Sequence, residues 1–250
     1  MRIPQPPDLR SPGRLALTVL AAGGLVCAFL WAVATPHLGP NLGDTDDATR
    51  LVLVRDLLAG RGWFDQRITR LQPPEGVYLH WSRLLDGGIA AWETGWRLVL
   101  PPARAEWMTR ATWPLLWVLA AVAATLVEAR ALAGVTGRVV RRRPLAAMAV
   151  LAAAVICVVD LQLYWAQFQP GRIDHHDVQI TLALVAAAGG LQARGRAGAV
   201  VAGLATGLGL AIGLEALIFE TAVAAAFGAR LLFDRREAGR TGAYGLALAG

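Results

Sequence analysis

Apolar residues run along this chain in unbroken blocks rather than at alternating positions, and from Leu15 onward windows of up to about 20 residues pass without a charged side chain. That is the length needed to cross ~30 Å of hydrocarbon as a helix. The blocks fall at 15–35, 111–133, 144–161, 178–193 and 197–233, the last long enough for two crossings. The expected fold is therefore all-α: a polytopic helical membrane protein with about six transmembrane helices. A further apolar run opening at Thr241 reads as a truncated seventh, so residues 1–250 are expected to be a single transmembrane domain and the front part of a longer chain.

Segment 36–110 interrupts this pattern and reads as a long first extracytoplasmic loop containing amphipathic helices. From Asp46 to Gly60, residues Ala48, Leu51, Val52, Val54, Leu57 and Leu58 fall near one helical face, with Arg50 and Asp56 off it. Thr45 or Asp46 is the expected N-cap, and Gly60 the C-terminal stop. A turn-rich stretch punctuated by Pro73-Pro74 follows. Ile89–Leu100, with Trp92 and Trp96, then reads as an interfacial or re-entrant helix leading to Pro101-Pro102. Further on, the spacings Gly203/Gly207 and Gly209/Gly213 predict close helix approach.

Composition strengthens the membrane reading: 56% of residues are hydrophobic and only 17% charged, which excludes one soluble core of this length. The net charge is +6, and all 24 basic residues are arginine. Twelve of them gather in short clusters, Arg2/Arg10/Arg14, Arg138/Arg141/Arg142/Arg143, Arg194/Arg196 and Arg235/Arg236/Arg240, which mark the cytoplasmic side and argue for lipid bilayer contact and against nucleic acid. The N-terminus is then cytoplasmic, as in a bacterial inner (plasma) membrane protein. The first block is too long for a signal-peptide core and reads as a retained helix. Cys27 and Cys157 lie in apolar stretches with no metal-binding spacing.

The remaining polar residues concentrate on the opposite side. Asp44, Asp46 and Asp47 follow the first block, Asp174 and Asp177 precede the fourth, and Glu215 and Glu220 lie within the last. All four histidines, His37, His80, His175 and His176, share that side. In Arg172-Ile-Asp-His-His-Asp177, Asp174 and Asp177 stand one helical turn apart. With His175 and with Asp44 from the first cluster they could hold a divalent cation, Mg²⁺ or Mn²⁺. The capping alternative gives Asp174 the helix N-cap and Asp177 the first turn. Asp44 or Asp46 could serve as general base toward an acceptor hydroxyl. Glu215, at membrane depth, is expected to face the bundle interior. Arg172, His176, Arg83, His80 and Trp81 are candidate contacts for an anionic, sugar-bearing ligand, because arginine forks phosphate oxygens and tryptophan covers sugar faces. Glu128 and Asp160 lie near block ends and read as local partners.

An amino-terminal helix, a long first loop opening with Gly43-Asp-Thr-Asp-Asp47, an amphipathic helix after it, and Asp174-His-His-Asp177 at the mouth of a later helix together resemble the C-type (GT-C) membrane glycosyltransferases. The catalytic subunit of oligosaccharyltransferase and its bacterial relatives look most similar. The resemblance covers roughly Leu15 to Glu220. It implies a polyprenyl-linked (di)phosphate sugar donor, a metal-binding or catalytic role for Asp44 or Asp46, and the second acidic motif at Asp174 with Asp177. Two features depart from that pattern: the acids of the second motif stand three residues apart instead of two, and the carboxy-terminal Trp-Trp-Asp motif is not within these 250 residues. The resulting expectation is transfer of a sugar or glycan on the extracytoplasmic face. A transporter or flippase with an ion- or proton-coupled acidic site is the alternative, and a membrane scaffold a third.

Overall fold

The structure, a computed structural model, describes residues 12–39, 42, 44–140, 166–192 and 195–250. Among them are eight α-helices: α1 (Pro12–Ala34), α2 (Thr45–Leu58), α3 (Arg83–Arg97), α4 (Pro102–Val140), α5 (His176–Leu191), α6 (Ala197–Ile212), α7 (Leu217–Phe233) and α8 (Ala238–Ala249). The one exception to an all-helical fold is a two-stranded antiparallel ribbon, β1 (Arg67–Ile68) with β2 (Val77–Tyr78), in the turn-rich stretch.

Among the described residues three stretches are long and apolar enough to cross a membrane: Pro12–His37, Pro102–Leu132 and Leu214–Phe233. The expected count of six is not met. Helices α5 and α6 have 16 residues each, which at 1.5 Å per residue is about 24 Å, short of the ~30 Å hydrocarbon layer. Block 197–233 divides at Gly213 and a short 3-10 turn, Leu214–Ala216, so only its second half reaches spanning length. The expected span at 144–161 lies outside the described residues. The run at Thr241 belongs to the 12-residue helix α8, which packs along α6.

The first loop is more ordered than its turn signals suggest. α2 ends in a Schellman motif: the N–H of Gly60, at φ +93°, donates to Leu57 and that of Arg61 to Asp56. Its N-cap is Asp44 instead of Thr45 or Asp46, with Oδ1 accepting from the N–H of Asp46 at 2.9 Å. The buried face also differs. Leu51 and Val54 are buried as expected, but Ala48 is exposed, and Asp47, Arg50 and Leu53 are buried with them. α3 starts at Arg83, before the expected Ile89, because Ser82 caps it through the N–H of Leu84. α4 likewise starts at Pro102, ahead of the block expected at 111; proline suits the first helical position, where no N–H is needed.

Trp92 and Trp96 of α3 both donate to the Thr112 hydroxyl of α4, at 2.9 and 3.2 Å. One apolar core then runs from Leu51 and Val54 of α2 through Ile89 of α3 and Trp113 of α4 to Val178 and Leu182 of α5. The loop helices α2 and α3 thus share one core with α4, α5 and α6.

The glycine pairs divide by role. At Gly203 the position of a Cβ is taken by the Tyr244 backbone oxygen, with Ala247 Cβ at 2.8 Å, so α6 and α8 touch there as the spacing predicts. Gly203→Val is expected to cost about 1–3 kcal/mol by overpacking, read as a lower thermal midpoint in detergent. Gly24→Val, at a position with nothing within 4 Å, is the neutral control. Gly209 and Gly213 instead make room for carboxylates, those of Glu220 and Glu215.

Candidate functional site

The two acidic motifs meet. Asp47 is 2% exposed, and its Oδ1 accepts from the backbone N–H groups of Ile173 and Asp174 at 2.7 and 2.9 Å. Its other oxygen lies 2.9 Å from Arg172 Nη1. That same nitrogen donates to Asp44 Oδ2 at 2.7 Å, while Nη2 donates to Gln167. Arg172 therefore clamps the start of α2 to the entrance of α5. It is aimed by Gly171, whose φ of +104° turns the chain and whose N–H donates to the Arg110 carbonyl of α4 at 2.7 Å.

Behind this clamp lies a buried charge ladder. Arg50 of α2 bridges Asp86 of α3 at 2.8 Å and Asp174 at 3.4 Å, and Arg83 holds the other oxygen of Asp86 at 3.0 Å. Trp81 covers the Arg50 guanidinium at 4.5 Å. Desolvation is offset here because each buried charge faces an opposite one.

Asp174 does not cap α5, since its carboxylate is drawn into this network; the helix starts at His176 with no side-chain cap. Its Oδ1 also pairs with His175 Nδ1 at 2.7 Å, and Oδ2 lies 3.5 Å from His176 Nε2. Burial pushes the Asp174 carboxyl up, but the hydrogen bond and attraction of His175, with the charge of Arg50, outweigh it and hold it down at about 2. Asp44 is lowered by the hydrogen bond from Arg172 and by that from Asp46. Burial raises Asp47, against the hydrogen bond from Ile173 and the charge of Arg172.

Ligand atoms of Asp174, His175 and His176 all lie within 4.8 Å of one another. Asp174 Oδ2 and His175 Nε2 are buried without a hydrogen-bond partner, and Glu215 Oε1 lies 3.6 Å from that nitrogen. This group could hold one divalent ion. It differs from the expected set of Asp44, Asp174, Asp177 and His175. Asp44 is engaged by Arg172. Asp177 is buried, with Oδ1 accepting from the Val178 N–H, and lies outside the group.

The other candidates separate. Glu215 does not face the interior: its side chain is 59% exposed, on the 3-10 turn, where it accepts from Gln179 at 3.2 Å. Arg83 is buried and committed to Asp86 and to the carbonyls of Trp63, Asp65 and Leu53. His80 is exposed, and Asp46 is half-buried in the first turn of α2. Asp47, Arg50 and Asp86 were not among the expected site residues. The signal for Asp47 was present, since it shares the helical face of Leu51 and Val54.

A cavity of about 320 Å³ opens beside the clamp, lined by apolar side chains that include Val33 and Leu38 and by the charged Asp44, Asp47 and Arg172. No family model matches the chain, and no curated protein or solved structure does.

Proposed function

We propose that this chain is a membrane glycosyltransferase, moving a sugar or glycan from a polyprenyl-linked (di)phosphate donor to an acceptor on the extracytoplasmic face of a bacterial inner membrane. The observation that carries the reading is the junction of the two acidic motifs through Asp47 and Arg172, beside a cavity lined by both apolar and ionic side chains. A lipid-linked sugar combines the same two kinds of surface.

Asp44 is the more open of the two clamped carboxylates, 37% exposed against 3% for Asp47. It takes the proton of the acceptor hydroxyl as the acceptor oxygen bonds to the anomeric carbon. The bond from that carbon to the phosphate oxygen breaks, and the electron pair leaves with the phosphate. Arg172, expected to meet that phosphate, instead fixes Asp44 and supplies positive charge at the cavity wall. Asp174, His175 and His176, with Glu215 beside them, are the residues that would hold a divalent cation, which neutralises a leaving phosphate when bound. Two imidazoles among these donors favour Mn²⁺ over Mg²⁺.

The test is transfer of radiolabelled sugar from polyprenyl-linked mono- and oligosaccharides to lipid or glycan acceptors in proteoliposomes. Wild-type protein is expected to give labelled product, and Asp44→Ala to reduce the rate by about 100-fold or more at unchanged membrane insertion. Absence of transfer from every such donor, or full activity in Asp44→Ala, overturns the assignment.

A further inference from the structure

Glu220 stands in the first turn of α7 with 1% of its surface exposed; neither carboxylate oxygen makes a well-formed hydrogen bond, and the Thr206 hydroxyl is the donor beside it. Most other buried acids among the described residues are compensated: Asp47, Asp86, Asp174 and Glu93 each face an arginine or histidine, while Asp177 accepts from the Val178 N–H through Oδ1 and leaves only Oδ2 without a partner. No arginine or histidine among the described residues pairs with Glu220. Its carboxylate points at Gly209 of α6, where a Cβ would lie 2.7 Å from Oε1. Its polar neighbours are Thr206 and Tyr244, both buried, with the Tyr244 hydroxyl donating to Thr206 Oγ1 at 3.4 Å.

A charged carboxylate left alone inside a helix bundle is strongly unfavourable, so such a group carries a compensating cation. The available donors are all hard oxygens: two from the carboxylate, one hydroxyl and one phenol. They suit a small hard cation and not a soft metal. Gly209, lacking a side chain, makes the room that the Glu220 carboxylate occupies. We propose that Glu220, Thr206 and Tyr244 form a cation site among α6, α7 and α8, distinct from the Asp174 group, whose occupant is a small monovalent cation, H⁺ or Na⁺, taken from water. This inference does not rest on glycosyl transfer.

Few other charges face the site. α5 offers Leu182 and, at its start, Gln179, and α6 offers Thr206 and Gly209. Along α7 and its preceding turn the ionisable groups are Glu215, which is exposed, and Arg230, which donates to the Gly190 carbonyl. On α8, Arg240 is engaged by Glu237 and the Gln192 carbonyl.

The test is carbodiimide labelling of the full chain in detergent, with the modified carboxyl mapped by mass spectrometry. The O–H of a protonated carboxyl adds across one C=N bond of the reagent, and the adduct rearranges to a stable N-acylurea without another reactant. Glu220 is expected to be labelled, and the same peptide of Glu220→Gln to stay unlabelled. If the occupant is H⁺, labelling falls by about tenfold or more from mildly acidic to mildly alkaline pH and ignores salt. If it is Na⁺, sodium chloride slows labelling at fixed pH and choline chloride does not. A Glu220 that resists the reagent, or whose labelling responds to neither pH nor sodium, overturns the proposal. Wild-type protein alone supplies both readouts, so a variant that fails to fold does not blunt the test.

Discussion

Asp174→Ala is expected to lower the rate of glycosyl transfer by about a thousandfold or more while the protein still inserts and elutes as wild type from a sizing column. Asp174 is where the second motif touches everything else: Arg50 on one side, His175 and His176 on the other, and Asp47 through its own backbone N–H. Truncation removes the carboxylate but not that N–H, so the clamp through Asp47 and Arg172 should survive. Asp174→Asn separates chemistry from architecture. The amide keeps the shape and can still accept from His175 but carries no charge. If the carboxylate acts in the reaction, the Asn variant stays as inactive as the Ala variant. If Asn restores the initial rate, Asp174 only braces the loop.

Arg50→Met should produce the largest loss of stability. The guanidinium is 2% exposed and lies between Asp86, at 0%, and Asp174. Methionine fills much of the volume but leaves Asp86 with Arg83 as its one cationic partner and Asp174 with the two imidazoles of His175 and His176. Removing one member of a buried ion network costs about 3–5 kcal/mol, which should appear as a fall of several degrees or more in the thermal midpoint of detergent-solubilised protein. Adding Asp86→Asn should recover part of that loss by deleting one of the stranded charges. An unchanged midpoint for Arg50→Met would show that Arg50 holds neither acid.

Much of the site was legible because its residues are chemically conspicuous: charges are rare in this chain, so the clusters at 44–47 and 172–177 stand out, and the structure joins them. Which acid does the joining was not legible. Asp44 and Asp46 attract attention as openers of the loop, but Asp47 lies on the α2 face with Leu51 and Val54, and only the periodicity of that face singles it out. Arg50 falls off the apolar face of α2 in the sequence and is nevertheless buried. Its partners, Asp86 and Asp174, come from distant segments, and no local pattern announces a long-range ion pair. Arg83 looked like a ligand contact for the converse reason: its carbonyl and carboxylate acceptors are visible only once α2 and α3 pack. The count of crossings overreached on length: the block at 178–193 has only 16 residues, and the break at Gly213 stops α6 at 16 as well, which hydropathy alone does not mark. Of the two acids in the last block, Glu215 is the one expected to face the interior, yet it lies exposed on the turn after Gly213 and Glu220 is the buried one.

The partners of Asp47 lie far along the chain, the N–H of Asp174 being 127 residues later. At the usual pace of synthesis, about 5–20 residues per second, that interval is roughly 6–25 s. During it the first loop holds an acid and an arginine whose eventual neighbours have not left the ribosome. The loop therefore reaches its final form only after α5 arrives, and the order of biogenesis follows from one hydrogen-bonded carboxylate.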